Sequence, residues 1–129
     1  MIKRQILVVE DERLIARDIA MQLRNLGYEP LGPAHTGEQA IETAGQLRPD
    51  LVLMDVHLGS AMDGIEAAQA IRTQFDVPTV FLSAFSGDAN GARAQLAQPV
   101  GYLVKPFEDY ELQEIVEAAF KDRRHPCQS

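Results

Sequence analysis

Asp50-Leu51-Val52-Leu53-Met54-Asp55 is the stretch whose reading decides the fold. Four bulky apolar residues stand between carboxylates. A run this short, β-branched or bulky and bounded by polar residues, reads as a strand buried on both faces, the kind found in parallel sheets covered by helices. The same reading holds for Ile6-Leu7-Val8-Val9, Val80-Phe81-Leu82 and Tyr102-Leu103-Val104. Between these runs, apolar residues return every three or four positions: Ile15, Ile19, Leu23 and Leu26; Ala40, Ile41, Ala44 and Leu47; Ile65, Ala68, Ile71 and Phe75; Leu112, Ile115, Val116, Ala119 and Phe120. Each set predicts a surface helix with one apolar stripe.

Punctuation agrees with this layout. Thr36 with Gln39 fits a capping box, and Asp63 with Glu66 resembles one. Pro49 and Pro78 end the helices that precede them. Residues 28–34 carry Pro30, Gly32 and Pro33, so they predict a weak strand at a sheet edge, where a missing N–H breaks no ladder bond. Residues 86–96 predict a weak helix, since Gly87 and Gly91 each cost about 1 kcal/mol relative to alanine. The order βαβαβαβαβα implies a parallel sheet with right-handed crossovers and helices on both faces.

The chain has 129 residues, enough for one domain with its own core. A hydrophobic share of 46% excludes a disordered chain. A single cysteine, Cys127 in a polar tail, excludes an internal disulfide and predicts a reducing, cytoplasmic setting. No apolar run reaches the length of a membrane span. Twelve Lys and Arg against nineteen Asp and Glu give 12 − 19 = −7, which argues against direct binding of a nucleic-acid backbone.

Ligands of open α/β sheets bind at the carboxyl ends of the strands. There the sequence places Glu10, Asp11 and Glu12 after the first run, Asp55 after the third, Ser83 after the fourth and Lys105 before Pro106 after the fifth. Carboxylates crowded at adjacent strand ends repel one another unless a cation joins them. Hard oxygen donors with water suit Mg²⁺. A lysine and a metal would neutralise an incoming phosphoryl group, a hydroxyl would hydrogen-bond it, and a carboxylate can accept it. The collection is equipped to make an aspartyl phosphate.

The runs Ile6-Leu7-Val8-Val9-Glu10-Asp11-Glu12, Asp50-Leu51-Val52-Leu53-Met54-Asp55 and Gly101-Tyr102-Leu103-Val104-Lys105-Pro106-Phe107 resemble the receiver domain of two-component response regulators, over roughly residues 5–121. That resemblance implies a flavodoxin-like, doubly wound (βα)5 fold with strand order 2-1-3-4-5. It implies Asp55 as phosphoacceptor. It implies Mg²⁺ held by Asp11, Asp55 and the backbone carbonyl of His57, with Glu10 acting mainly through water. It further implies Ser83 as switch hydroxyl, Lys105 as the lysine pairing with the phosphoryl group, a cis Lys105–Pro106 bond, and Tyr102 as an aromatic switch. The expected partner is a histidine kinase or phosphotransfer protein, and the expected signal is a change in the face built from the fourth helix, fifth strand and fifth helix, through which the family can also form homodimers.

The chain departs from the family pattern in places. The loop Val56–Gly64 is about two residues longer than usual and lacks the common proline, and Gln98-Pro99-Val100-Gly101 replaces an alanine- and glycine-rich approach to the fifth strand. His57 and Phe85 occupy positions that tune hydrolysis in the family. Residues 1–122 read as the receiver and 123–129 as a polar tail or the start of a linker to an output domain. His35 and His125 read as exposed loop residues. A serine after a strand is often a helix cap, and only its register favours Ser83 as switch; Tyr102 reads equally as packed core or as mobile switch. Two other classes fit the residues less well. A flavin mononucleotide carrier would want backbone N–H groups, not three acids, after the first strand. A Mg²⁺-dependent phosphatase with an aspartate nucleophile would want a second aspartate where His57 stands.

Overall fold

The computed structural model describes residues 3–59, 61–84 and 91–122. The elements alternate: β1 (Gln5–Val9), α1 (Arg13–Asn25), β2 (Glu29–Ala34), α2 (Gly37–Leu47), β3 (Leu51–Asp55), α3 (Gly64–Phe75), β4 (Thr79–Ser83), α4 (Ala92–Gln95), β5 (Gly101–Val104) and α5 (Asp109–Asp122). All five strands are parallel, in the order β2-β1-β3-β4-β5. The expected flavodoxin-like (βα)5 topology is therefore the observed one.

Alternation along each strand divides the core in two. Ile6, Val8, Leu51, Leu53, Val80, Leu82 and Leu103 pack with Ala16, Ile19 and Leu23 of α1 and with Leu112, Val116 and Ala119 of α5. Leu7, Val9, Val52, Met54 and Phe81 pack on the opposite face with residues of α2, α3 and α4. The central strands β3 and β4 are buried along their whole length, which is why they read as unbroken apolar runs. Truncating one of these side chains, such as Leu53→Ala, would cost about 2–5 kcal/mol in lost transfer energy and cavity formation.

The edge strand β2 carries an irregularity. Leu7 is registered with Leu31 but Val9 with Ala34, so one extra residue of β2 lies between those pairs. Gly32 makes this possible with φ +89°, a value that side chains disfavour; a Cβ there would also lie 2.8 Å from the Ala34 nitrogen.

Helix ends follow the sequence with one refinement. Asp63 and Glu66 form a complete capping box. At α2, Thr36 accepts the Gln39 N–H at 3.0 Å, but the Gln39 side chain accepts from the N–H of His35, not Thr36. The cap is real and its reciprocal half is displaced by one residue. α2 and α3 stop at left-handed residues, Arg48 and Asp76, shortly before Pro49 and Pro78.

The expected helix over 86–96 is represented among the described residues by Ala92–Gln95 alone, followed by a turn and by Gln98 at φ +53°. The expectations for Phe85 and for the tail 123–129, with Cys127 and His125, lie outside the described residues. Among the described residues no helix is long and apolar enough to cross a membrane.

Candidate functional site

Pairing and pleat together build the site. In the parallel register Ile6 faces Leu51 and Val8 faces Leu53, so the next positions of that parity are Glu10 and Asp55. Asp55 is registered with Leu82, and Leu82 with Leu103, two residues before Lys105. The charged residues thus continue three apolar series that face α1 and α5. Just beyond the last strand bonds, the core gives way to a polar rim.

The rim closes on one ammonium. Lys105 Nζ donates to Glu10 Oε1 at 2.9 Å and to Asp55 Oδ2 at 3.2 Å. Glu10 is fully buried and Asp55 nearly so. Backbone donors complete the shell: Glu12 N–H to Glu10 Oε2 at 3.1 Å, His57 N–H to Asp55 Oδ1 at 3.0 Å, and Gly59 N–H to Asp11 Oδ2 at 3.0 Å. Asp11 is exposed at the lip. One carboxylate oxygen from each of Glu10, Asp11 and Asp55 lies within 4.8 Å of the others.

The electrostatics follow from burial. Desolvation, helped by the Asp55 charge, pushes Glu10 up to about 7 against the bonds from Lys105 and Glu12. Burial also disfavours the Lys105 ammonium, but the hydrogen bond to Glu10 and the Asp55 charge outweigh it and hold the amine above its ordinary range. Three carboxylates facing one ammonium leave the pocket short of positive charge. The donor set fits a hard divalent ion: all ligands are oxygen, and oxygens sharing one Mg²⁺ sit about 3–4 Å apart at ordinary bond lengths. Only a small contraction, or a water between the ion and Glu10, separates the cluster from that geometry.

The Val56–Gly64 loop is tied to this cluster. Val56 N–H bonds Leu82 O at 2.9 Å and Gly64 N–H bonds Val56 O at 3.0 Å. Gly64 packs so closely that a Cβ would collide with the Asp55 carbonyl oxygen. The long form of the loop therefore delivers two backbone donors, from His57 and Gly59, to two of the acids. The His57 side chain is exposed.

Ser83 and Tyr102 fall on the other parity. Phe81 is registered with Tyr102 and Ser83 with Val104, so all four face the side that carries α4. Ser83 is fully buried at the end of β4, its carbonyl accepting the Lys105 N–H at 2.7 Å. Tyr102 is 37% exposed. The Lys105–Pro106 peptide is cis, as the resemblance implies.

Two features escape the sequence reading. His35 is half-buried rather than a solvated loop residue, and its Nδ1–H donates to the Glu10 carbonyl at 2.9 Å. Arg93 of α4 pairs with Asp63, the cap of α3, at 2.8 Å. His35 follows directly on β2, next to the end of β1 that carries Glu10. The Arg93 pair links residues far apart in the chain, which no local spacing announces.

A parallel five-stranded α/β sheet with acids and a lysine converging at its carboxyl end defines a class of signalling domain. The family model described as "Response regulator receiver domain" matches residues 6–117, and the chain belongs to that family. Its receivers are signalling switches of two-component systems rather than classical enzymes, partnered by a histidine kinase or phosphotransfer protein. Membership replaces the flavin-carrier and phosphatase readings. The chain is 43% identical over 118 residues to a "Transcriptional regulatory protein PdtaR" of Mycobacterium tuberculosis, covering 92% of this chain and 57% of that relative. It thus spans little more than half the length of that relative. Among solved structures it is similar to the N-terminal domain of a response regulator/sensory box/GGDEF three-domain protein from Carboxydothermus hydrogenoformans, at 37% identity and TM-score 0.87, covering 96% of this chain and 99% of that one. It is also similar to the receiver domain of sensor histidine kinase PA1611 from Pseudomonas aeruginosa, with a magnesium ion coordinated in its active site cleft, at 36% identity and TM-score 0.78, covering 90% and 96%.

Proposed function

We propose that Asp55 is the phosphoacceptor of this receiver, working in the cytoplasm. An Asp55 carboxylate oxygen attacks the phosphorus of a partner kinase's phosphohistidine. A P–O bond forms as the P–N bond breaks, and the imidazole leaves. Lys105 offsets the charge that arrives. Ser83 donates its hydroxyl to a phosphoryl oxygen, and Tyr102 turns inward as that hydroxyl moves. Asp11, Asp55 and the His57 carbonyl would hold Mg²⁺, with Glu10 assisting; when bound, the ion would supply Lewis-acid stabilisation of the phosphoryl oxygens. Reversal is hydrolytic: water attacks the phosphorus and the Asp55 carboxylate departs, releasing inorganic phosphate.

The two hydrogen bonds that Lys105 Nζ donates, to Glu10 and to Asp55, carry this reading. They bring the fifth strand's cation to the acids of the first and third. About two added negative charges at Asp55 bias β4, β5 and α4. The α4-β5-α5 face is then the surface that changes its partner, a second copy of the chain or an output domain.

Intact mass after incubation with acetyl phosphate and Mg²⁺ tests the assignment. Wild type gains one phosphoryl group and Asp55→Asn gains none. Equal labelling of both proteins would overturn it.

A further inference from the structure

A cavity lies between α1 and the edge strand β2. Arg13, Arg17 and Arg24 project from one face of α1: at helical pitch their directions fall within about 40° and their positions span about 16 Å. They border a cavity of about 350 Å³ whose far wall is the Pro30–Pro33 stretch of β2 with His35. The helix side is open between the arginines because Ala16 and Ala20 are small. No carboxylate lines this cavity. Although the chain carries a net charge of −7, none of the three guanidinium groups has an ion pair or side-chain hydrogen bond with another described residue. Arg13 and Arg17, one turn apart, repel each other. The arrangement is a cationic cleft with an apolar floor, in a protein rich in acids that does not neutralise it.

The surroundings select the ligand. Pro30 and Pro33 lack N–H groups, so this edge does not take up an added peptide strand. The overall negative charge opposes a long polyanion such as nucleic acid. The volume suits a small molecule, and paired guanidinium groups match phosphate geometry. We propose that this cleft binds a small phosphate ester. Its phosphoryl group sits between Arg13 and Arg17, its organic part lies over Ala20 and the β2 wall, and Arg24 holds the far end. The cleft is wired to the acid cluster through backbone: His35 donates to the Glu10 carbonyl, and Glu10 N–H bonds Ala34 O at 3.0 Å. Occupancy would therefore be felt at the end of β1.

The test is an amide NMR titration of the full chain in metal-free buffer with EDTA, using inorganic pyrophosphate and then adenosine diphosphate as probes. Both should give saturable shifts confined to residues 13–24 and 30–35 and their neighbours at the end of β1. The nucleotide should bind about tenfold tighter, because only it reaches the apolar floor. Arg17→Gln and Arg24→Gln, exposed substitutions that leave the melting temperature unchanged, should each weaken binding about tenfold; Arg17→Lys should weaken it less. Asp55→Asn should bind as wild type does. The proposal fails if neither probe moves these amides, if both Gln variants bind unchanged, or if a glutamate-rich peptide moves the same amides while both probes leave them still.

Discussion

Arg93 and Asp63 meet at 2.8 Å, joining the short α4 to the residue that caps α3. Asp63 is only partly buried, and its burial is outweighed by the Arg93 bond and by the Glu66 and Ile65 N–H groups, so its carboxyl lies below the ordinary range. A carboxylate held low in the fold contributes stability that is present above its unfolded value near 3.8 and is lost as pH falls through the folded value. Arg93→Gln should therefore be less stable than wild type at pH 5–7, with the gap closing below pH 3.8 and shrinking in high salt. Asp63→Ala should lose more, about 1 kcal/mol from the cap alone. Urea melts across that pH range check both; a gap constant down to pH 2 would show that the carboxylate is not responsible.

That pair also marks where sequence reading stops. β1, β3 and β4 were legible because strands buried on both faces leave apolar runs, and the acids and lysine were legible because each directly follows such a run. Side-chain partnerships between elements far apart in the chain, like Arg93 of α4 with the α3 cap Asp63, leave no local trace. The half-burial of His35 is not legible either, because it rests on a hydrogen bond to the Glu10 carbonyl, 25 residues away in the chain. The Gln39 side chain bonded one residue earlier than the capping box predicts because His35 N–H offered an equivalent donor at 2.8 Å.

Magnesium should stabilise the fold through the three acids. A ligand bound only by the native state at a hundred times its dissociation constant adds about 2.7 kcal/mol. Asp11→Asn should abolish most of this response. It can keep the Gly59 N–H bond while removing one of three crowded charges, so without metal it should be equal to or slightly more stable than wild type. Calorimetric melts with and without Mg²⁺ read both effects; an undiminished Mg²⁺ response in Asp11→Asn would remove that residue from the metal set.

Gly64 should tolerate no side chain. A Cβ would collide with the backbone carbonyl of Asp55, and backbone cannot swing aside as a side-chain tip can. Gly64→Ala should cost about 1–3 kcal/mol, the usual range for overpacking, and should weaken the Mg²⁺ response by displacing Asp55. Denaturant melts give the first quantity and Mg²⁺ titration the second. A variant as stable and as responsive as wild type would mean the loop yields freely.

Thr79, at the start of β4, buries a hydroxyl with no hydrogen-bond partner among the described residues. A buried polar group left unmatched keeps its desolvation cost without return. Replacing the hydroxyl with a methyl group of similar size removes that cost and keeps the β-branched shape that suits a central strand. Thr79→Val should therefore raise stability by about 1 kcal/mol, visible as a higher denaturation midpoint at unchanged slope. The site lies at the opposite end of β4 from Ser83, so phosphorylation of Asp55 should proceed as in wild type. A loss of stability instead would mean that the Thr79 hydroxyl has a partner, such as an ordered water, that the substitution removes.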